Sequence, residues 1–174
     1  FWIAEKAAKE LGIKMYDKEL ITMAAKDSGL SEEAIAASEK QHTHSLLYSL
    51  YTMGNDLPLG DQVFILQSRI IKQLADQENC LILGRCGDYV LRENPDVLRV
   101  FIHAPLEFRL EWAKKSPWFA DMSEKDIIAE INKTDKKRAA YYNYYTFKTW
   151  GAAESYDLCL NSSKLGIDGC ADIV

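Results

Sequence analysis

Arginine and lysine side chains placed after apolar runs are the best candidates for chemistry in this chain. Gly84-Arg85 follows the apolar run Cys80-Leu81-Ile82-Leu83. Glycine permits a sharp turn there, and an arginine at a strand end offers a planar fork suited to phosphate or carboxylate. A surface ion pair with Asp88 or Glu93 is the competing reading. Arg109, in Leu106-Glu107-Phe108-Arg109-Leu110-Glu111-Trp112, falls one turn into a predicted helix. Glu107 and Glu111 could equally hold it on a solvated face. Lys133, Lys136, Lys137 and Arg138, with Asp135 embedded among them, are the densest positive charge of an acidic chain. Helical spacing puts Lys133 and Lys137 on one side with Lys136 close by, and Arg138 about 100° further round from Lys137. Such a helix could close over phosphates, although a charge run is more often a solvated face. Tyr141, Tyr142, Tyr144, Tyr145 and Trp150 follow. Aromatic rings beside basic residues can stack a nucleobase, and core packing explains them equally well.

Two smaller groups sit at other apolar-run ends. Asp17-Lys18 follows Ile13-Lys14-Met15-Tyr16, where Asp17 could accept a hydrogen bond, help orient a metal or substrate, or simply cap a helix. Asn161-Ser162-Ser163-Lys164 follows Tyr156-Asp157-Leu158-Cys159-Leu160, where small donors could reach a base or ribose, or cap the last helix. His42, His44 and His103 form no triad with a nucleophile, and His103 reads as a satisfied structural histidine. Neither HExxH nor GxSxG occurs, so hydrolytic chemistry has little support. Cys80, Cys86, Cys159 and Cys170 form no CxxC pair or zinc spacing. Cys80 and Cys159 are expected to be buried in strands as small apolar side chains. Reduced thiols fit a cytoplasmic protein.

The elements that must hold these residues are short apolar strands, each followed by a helical pattern. A fourth run, Leu98-Arg99-Val100-Phe101-Ile102-His103, ends before Ala104-Pro105. Near-continuous apolar strands alternating with helices predict a parallel sheet covered on both faces. In such sheets ligands gather beyond the carboxyl ends of the strands. Helices are predicted over residues 2–11, with Gly12 as the stop, then 18–27, 31–40, 61–77, 106–115 and about 124–145. The 61–77 helix carries Val63, Leu66, Ile70 and Leu74 on one stripe. Ser123 with Asp126 resembles a capping box for the long helix, and Asp168 is a candidate cap for a final one. Residues 41–60 are irregular, punctuated by Gly54, Asn55, Pro58 and Gly60.

At 174 residues the chain reads as a single domain with room for a real core. The net charge of -5 argues against a general nucleic-acid coat. No apolar stretch approaches the length needed to span a bilayer. The expected partners are therefore small molecules, not nucleic acid or membrane.

Taken in order, the motifs resemble the cytidylate-kinase-like family of P-loop nucleotide kinases. The resemblance is carried by Leu11-Gly12-Ile13 and Tyr16-Asp17-Lys18-Glu19-Leu20, by Ile82-Leu83-Gly84-Arg85-Cys86-Gly87-Asp88-Tyr89-Val90-Leu91, and by Phe101-Ile102-His103-Ala104 with Glu107-Phe108-Arg109. It continues through Asp135-Lys136-Lys137-Arg138-Ala139-Ala140-Tyr141-Tyr142 and Leu160-Asn161-Ser162-Ser163-Lys164-Leu165-Gly166. It implies a three-layer α/β/α P-loop kinase with a parallel sheet. Residues about 25–77 would form the nucleoside-monophosphate (NMP)-binding insertion, and residues about 113–140 the lid. It implies transfer of the ATP γ-phosphoryl group to CMP or a similar acceptor, with ATP and Mg²⁺. Asp17, Arg85 and Lys137 would serve the acceptor nucleotide, with Arg85 on its phosphate. Arg109 and Arg138 would approach the transferring group, and Asn161, Ser162 and Ser163 the adenine end of ATP. The family carries a glycine-rich phosphate loop between its first strand and first helix. This chain begins at Phe1 already inside that helix, with neither GxxxxGKS/T nor a Gly-Ser-Gly-Gly variant. The expectation is that this strand and loop belong to the natural protein. The alternatives are a non-catalytic nucleotide-binding or regulatory protein on the same fold, and a kinase for another small acceptor.

Overall fold

The structure, a computed structural model, describes residues 1–18 and 59–174. The predicted helices over 18–27 and 31–40 and most of the irregular stretch 41–60 lie outside the described residues, as does most of the expected NMP-binding insertion. The chain divides into two compact units, Ile3–Val97 with Phe1, and Leu98–Val174 with Trp2.

The first unit begins with α1 (Trp2–Leu11), closed by Gly12 as expected. Strand β1 (Lys14–Tyr16) follows, then α2 (Leu59–Gln77), β2 (Cys80–Ile82) and the single-turn α3 (Gly87–Val90). β1 and β2 are parallel, with Tyr16 opposite Ile82. The Leu83 amide extends the pairing by donating to the Tyr16 carbonyl at 2.8 Å. On α2 the most deeply buried row is Val63, Gln67 and Ile71, at 3%, 1% and 0% exposure. The apolar stripe read from the sequence is therefore the flank of the buried face: Leu66 and Ile70 pack on Val63. Ile71 and Val90 form a core with Tyr16, Phe64, Ile82 and Leu91, which fixes α2 and α3 against the β1–β2 pair. Glu78 accepts from Tyr16 Oη at 2.5 Å and from Lys14 Nζ at 3.0 Å, tying the end of α2 to β1.

The second unit holds β3 (Val100–His103), α4 (Leu106–Lys114), α5 (Glu124–Thr146), β4 (Leu158–Asn161) and α6 (Ser162–Ile173). β3 and β4 are parallel, with His103 opposite Asn161. Pro105 stands directly before α4, where its missing N–H is harmless. Ser123 caps α5 as predicted: its Oγ accepts from the Asp126 amide at 3.2 Å and donates to Asp126 Oδ2 at 2.6 Å. Leu110, Ile127 and Ile131 bury the α4–α5 seam, with Leu106, Ala113, Phe119 and Ile128 around them. At the opposite end of the strands, Arg99 grips Asp157 through its own amide, Nε and Nη2, at 2.7–2.9 Å. Phe101 stacks on Tyr156 at 4.9 Å and meets Trp150 edge-on at 5.6 Å. Gly151 passes so close that a Cβ there would lie 3.0 Å from the Phe101 ring, at φ +79°. Trp150 is therefore a packing residue, and Tyr142 is buried at 5% exposure.

Three expectations need correction. The strands are not deeply covered on both faces: β2 is half-buried throughout, and Cys159 in β4 is exposed. Among the described residues each sheet has two strands, and along β4 burial alternates so that Leu160 faces in and Cys159 out. His103, read as a satisfied structural histidine, is exposed at the end of β3. The cap of the last helix is Asn161; Asp168 lies beyond the interruption at Gly166.

Candidate functional site

Each parallel pair brings candidate residues to its carboxyl end. In the first unit Asp17 follows β1 directly and Gly84-Arg85 follows β2 almost directly. Because Tyr16 is opposite Ile82, the two strands deliver Asp17 and Arg85 to the same tip. The backbone beyond β2 is unusual. Gly84, Arg85 and Cys86 all adopt left-handed conformations, with φ of 75°, 56° and 56°. Glycine does so freely, but each of the other two costs on the order of 1–2 kcal/mol. A Cβ on Gly84 would meet nothing within 4 Å, so backbone conformation, not space, sets the requirement there. Hydrogen bonds from the Gly87 amide to the Gly84 carbonyl and from the Val90 amide to the Cys86 carbonyl hold the turn, at 3.0 and 2.8 Å. Cys86 is 4% exposed, and burial pushes its thiol up to about 12. It anchors the turn as an apolar side chain and is not a nucleophile.

In the second unit Asn161, Ser162 and Ser163 stand at the carboxyl end of β4, half-buried. Their polar atoms already have local partners. Asn161 Oδ1 accepts from the Ser163 amide at 3.0 Å and from Ser163 Oγ at 2.7 Å, while Ser162 Oγ donates to the His103 carbonyl at 3.2 Å. Arg109 lies one turn into α4, as its sequence position implied. Neither Glu107 nor Glu111 holds it. Glu111 accepts instead from Lys114, and Arg109 reaches across to α5, where Nη1 and Nη2 donate to the two carboxylate oxygens of Asp135 at 2.6 and 2.9 Å. Both side chains are about one-third to one-quarter exposed, at 34% and 26%. Arg138 is exposed one helical turn beyond Asp135, and Lys136 and Lys137 are exposed as well. Helical geometry places Asp135 and Arg138 side by side and turns Lys137 away from them. Lys133 pairs with Glu130 at 3.1 Å.

Within one unit, then, the structure gathers Arg109, Asp135 and Arg138 along the α4–α5 seam, and Asn161, Ser162 and Ser163 at a strand tip. Within the other it gathers Asp17 and Arg85. Arginine side chains near strand tips and helix turns can bind anions, phosphate above all. Among the described residues, no group of three His, Cys, Asp or Glu could hold a metal ion.

A family model for the cytidylate kinase-like family matches residues 2–164. The chain belongs to the cytidylate kinase-like family. No curated protein matches it. Among solved structures, an uncharacterized protein from Eubacterium ventriosum ATCC 27560 is similar, with 25% identity and a TM-score of 0.74 over 98% of this chain and 86% of that one. No helix among the described residues is long and apolar enough to cross a membrane.

Sequence reasoning about this cytidylate kinase-like chain missed two site features. Asp135 was visible only as an acid inside a basic run, because its partner lies 26 residues away on another helix. The left-handed backbone at Arg85 and Cys86 carries no local signal, since only the preceding glycine announces the turn.

Proposed function

We propose that this protein is a nucleoside-monophosphate kinase that moves the γ-phosphoryl group of ATP to CMP or a similar acceptor. The observation that carries this reading is the family match over residues 2–164, which spans every residue given a role. In this reading the fold is the three-layer P-loop kinase, with residues about 25–77 as the NMP-binding part and about 113–140 as the lid. An oxygen of the acceptor phosphate forms a bond to Pγ as the bond from Pγ to the β-bridging oxygen breaks, giving CDP and ADP. Such transfer rests on positioning and on neutralising charge, not on covalent help from the protein.

Arg85 takes the acceptor phosphate, with Asp17 orienting the acceptor and Lys137 adding positive charge. Arg109 and Arg138 neutralise the transferring group and the leaving ADP. Asn161, Ser162 and Ser163 border the adenine end, where they can rearrange from their local hydrogen bonds. Mg²⁺ commonly travels on nucleotide phosphates with few protein ligands, and there it supplies charge neutralisation between the β and γ groups. In this reading the metal would arrive with the nucleotide, and Arg85, Arg109 and Arg138 would add the protein's own positive charge. The four cysteines are free thiols, in keeping with a cytoplasmic enzyme.

A coupled ADP-release assay on the intact protein, with CMP, dCMP, UMP, AMP and small metabolites as acceptors, tests the reading. Turnover that requires a pyrimidine monophosphate is the expected result. Nucleotide binding without turnover would favour a regulatory binder, and turnover only with a non-nucleotide acceptor would favour a different kinase.

A further inference from the structure

We infer that Asp135 is a positioning residue for Arg109, holding its guanidinium by one edge so that another edge is presented to an anion. This deepens the kinase reading and rests on it. A guanidinium has five N–H bonds, and a carboxylate meeting Nη1 and Nη2 end-on uses one from each. Nε–H and the outer hydrogens of both Nη atoms are left over. In Arg109 both contacts to Asp135 are of this end-on kind. Among the described residues the Nε–H of Arg109 has no partner. The Nε–Nη2 edge is the same two-pronged shape that receives paired phosphate oxygens.

The carboxylate's place in the fold matters as much as its charge. Leu110, directly after Arg109, is buried against Ile127 and Ile131 of α5, and Asp135 stands one turn beyond Ile131. The seam therefore fixes both backbones, and the fork fixes the plane of the guanidinium. An arginine otherwise loses much rotamer freedom when it binds an anion. One already held by a neighbour loses less, and its orientation is set before the ligand arrives. Arg138 is exposed one turn further on, so the same stretch of α5 supplies both the acid that aims Arg109 and a second cation beside it. A purely structural ion pair is the competing account. A pair that only stabilises the seam would leave turnover unchanged when it is broken, whereas a positioning role lowers it.

The test is a double-mutant cycle on the intact protein with D135N, R109A and the double variant, joined by D135E and R109K. Turnover of ATP with CMP is measured beside equilibrium binding of ATP, and thermal melting checks folding. D135N and R109A are each expected to lower kcat at least tenfold with KM for CMP changed less than threefold. The double variant is expected to lose no more than R109A alone, and D135E to recover part of the loss. R109K keeps the charge but loses the fork, so it should behave like R109A; it carries the test if D135N fails to fold. D135N within threefold of the unsubstituted protein, or losses that multiply in the double variant, overturns the inference while leaving the kinase reading intact. If the protein binds ATP but transfers nothing, the kinase reading falls, and the cycle is read in ATP affinity with the same expectations and the same overturning results. If it neither binds ATP nor turns over, both fall.

Discussion

Arg85 is held on a backbone that only a left-handed turn of three residues can build, and that makes it a fixed point, not a floating surface charge. The turn is kept by buried Cys86 and by Gly87, where a Cβ would come 3.1 Å from the Ile82 side chain and crowd it. The strain also shapes how Arg85 can be probed. Alanine at this position carries the same backbone penalty as arginine, so Arg85→Ala removes the guanidinium without relaxing the loop, whereas glycine would do both. The thiols separate on the same physical grounds. Cys86 and Cys170 are buried and Cys80 is half-buried, with burial pushing all three thiols up, whereas Cys159 is exposed. Titration of the native protein with a thiol reagent should show one fast equivalent, abolished in Cys159→Ser, with half-buried Cys80 slower and Cys86 and Cys170 reacting only on unfolding. Fast labelling of Cys86 would contradict the buried turn.

At the level of elements, the β3–β4 pair is pinned at its entry by Arg99 and Asp157 and at its exit by the Ser162–His103 contact. Hydrogen bonds from the Arg99 side chain and amide lower the Asp157 carboxyl to about 2. The sign follows from linkage: a carboxyl depressed in the folded state binds its proton more readily when unfolded. Its contribution is therefore complete above the unfolded value of about 4 and lost as pH falls from about 4 to about 2. Urea unfolding over that range should show stability falling with pH, with a shallower fall in Asp157→Asn; equal slopes would contradict the clamp. Most of these elements were legible beforehand. Gly12, Pro105 and Ser123 mark helix ends by backbone chemistry, and runs of apolar residues before turn clusters located the four described strands. The buried row of α2 was misread because Gln67 sits at its centre, and a polar residue does not announce burial. Cys159 was misplaced because composition alone cannot say which strand face is covered.

At the scale of the whole molecule, the order of motifs along the chain held more information than any one of them. Gly84-Arg85 or Asn161-Ser162-Ser163 taken alone is ambiguous; their sequence from Leu11 to Gly166 marked the family that the match over residues 2–164 shows. The Arg109–Asp135 fork could not be read in that way, since it depends on how α4 crosses α5. The most direct measurement is steady-state kinetics of ATP and CMP with Arg85→Ala and Arg138→Ala in the intact protein. The account predicts that Arg85→Ala raises KM for CMP by about tenfold or more, as expected for loss of a charge-assisted bond to its phosphate. It predicts that Arg138→Ala lowers kcat by about a hundredfold, as for loss of a group that stabilises developing charge. Both variants matching the unsubstituted protein in kcat and KM would contradict it.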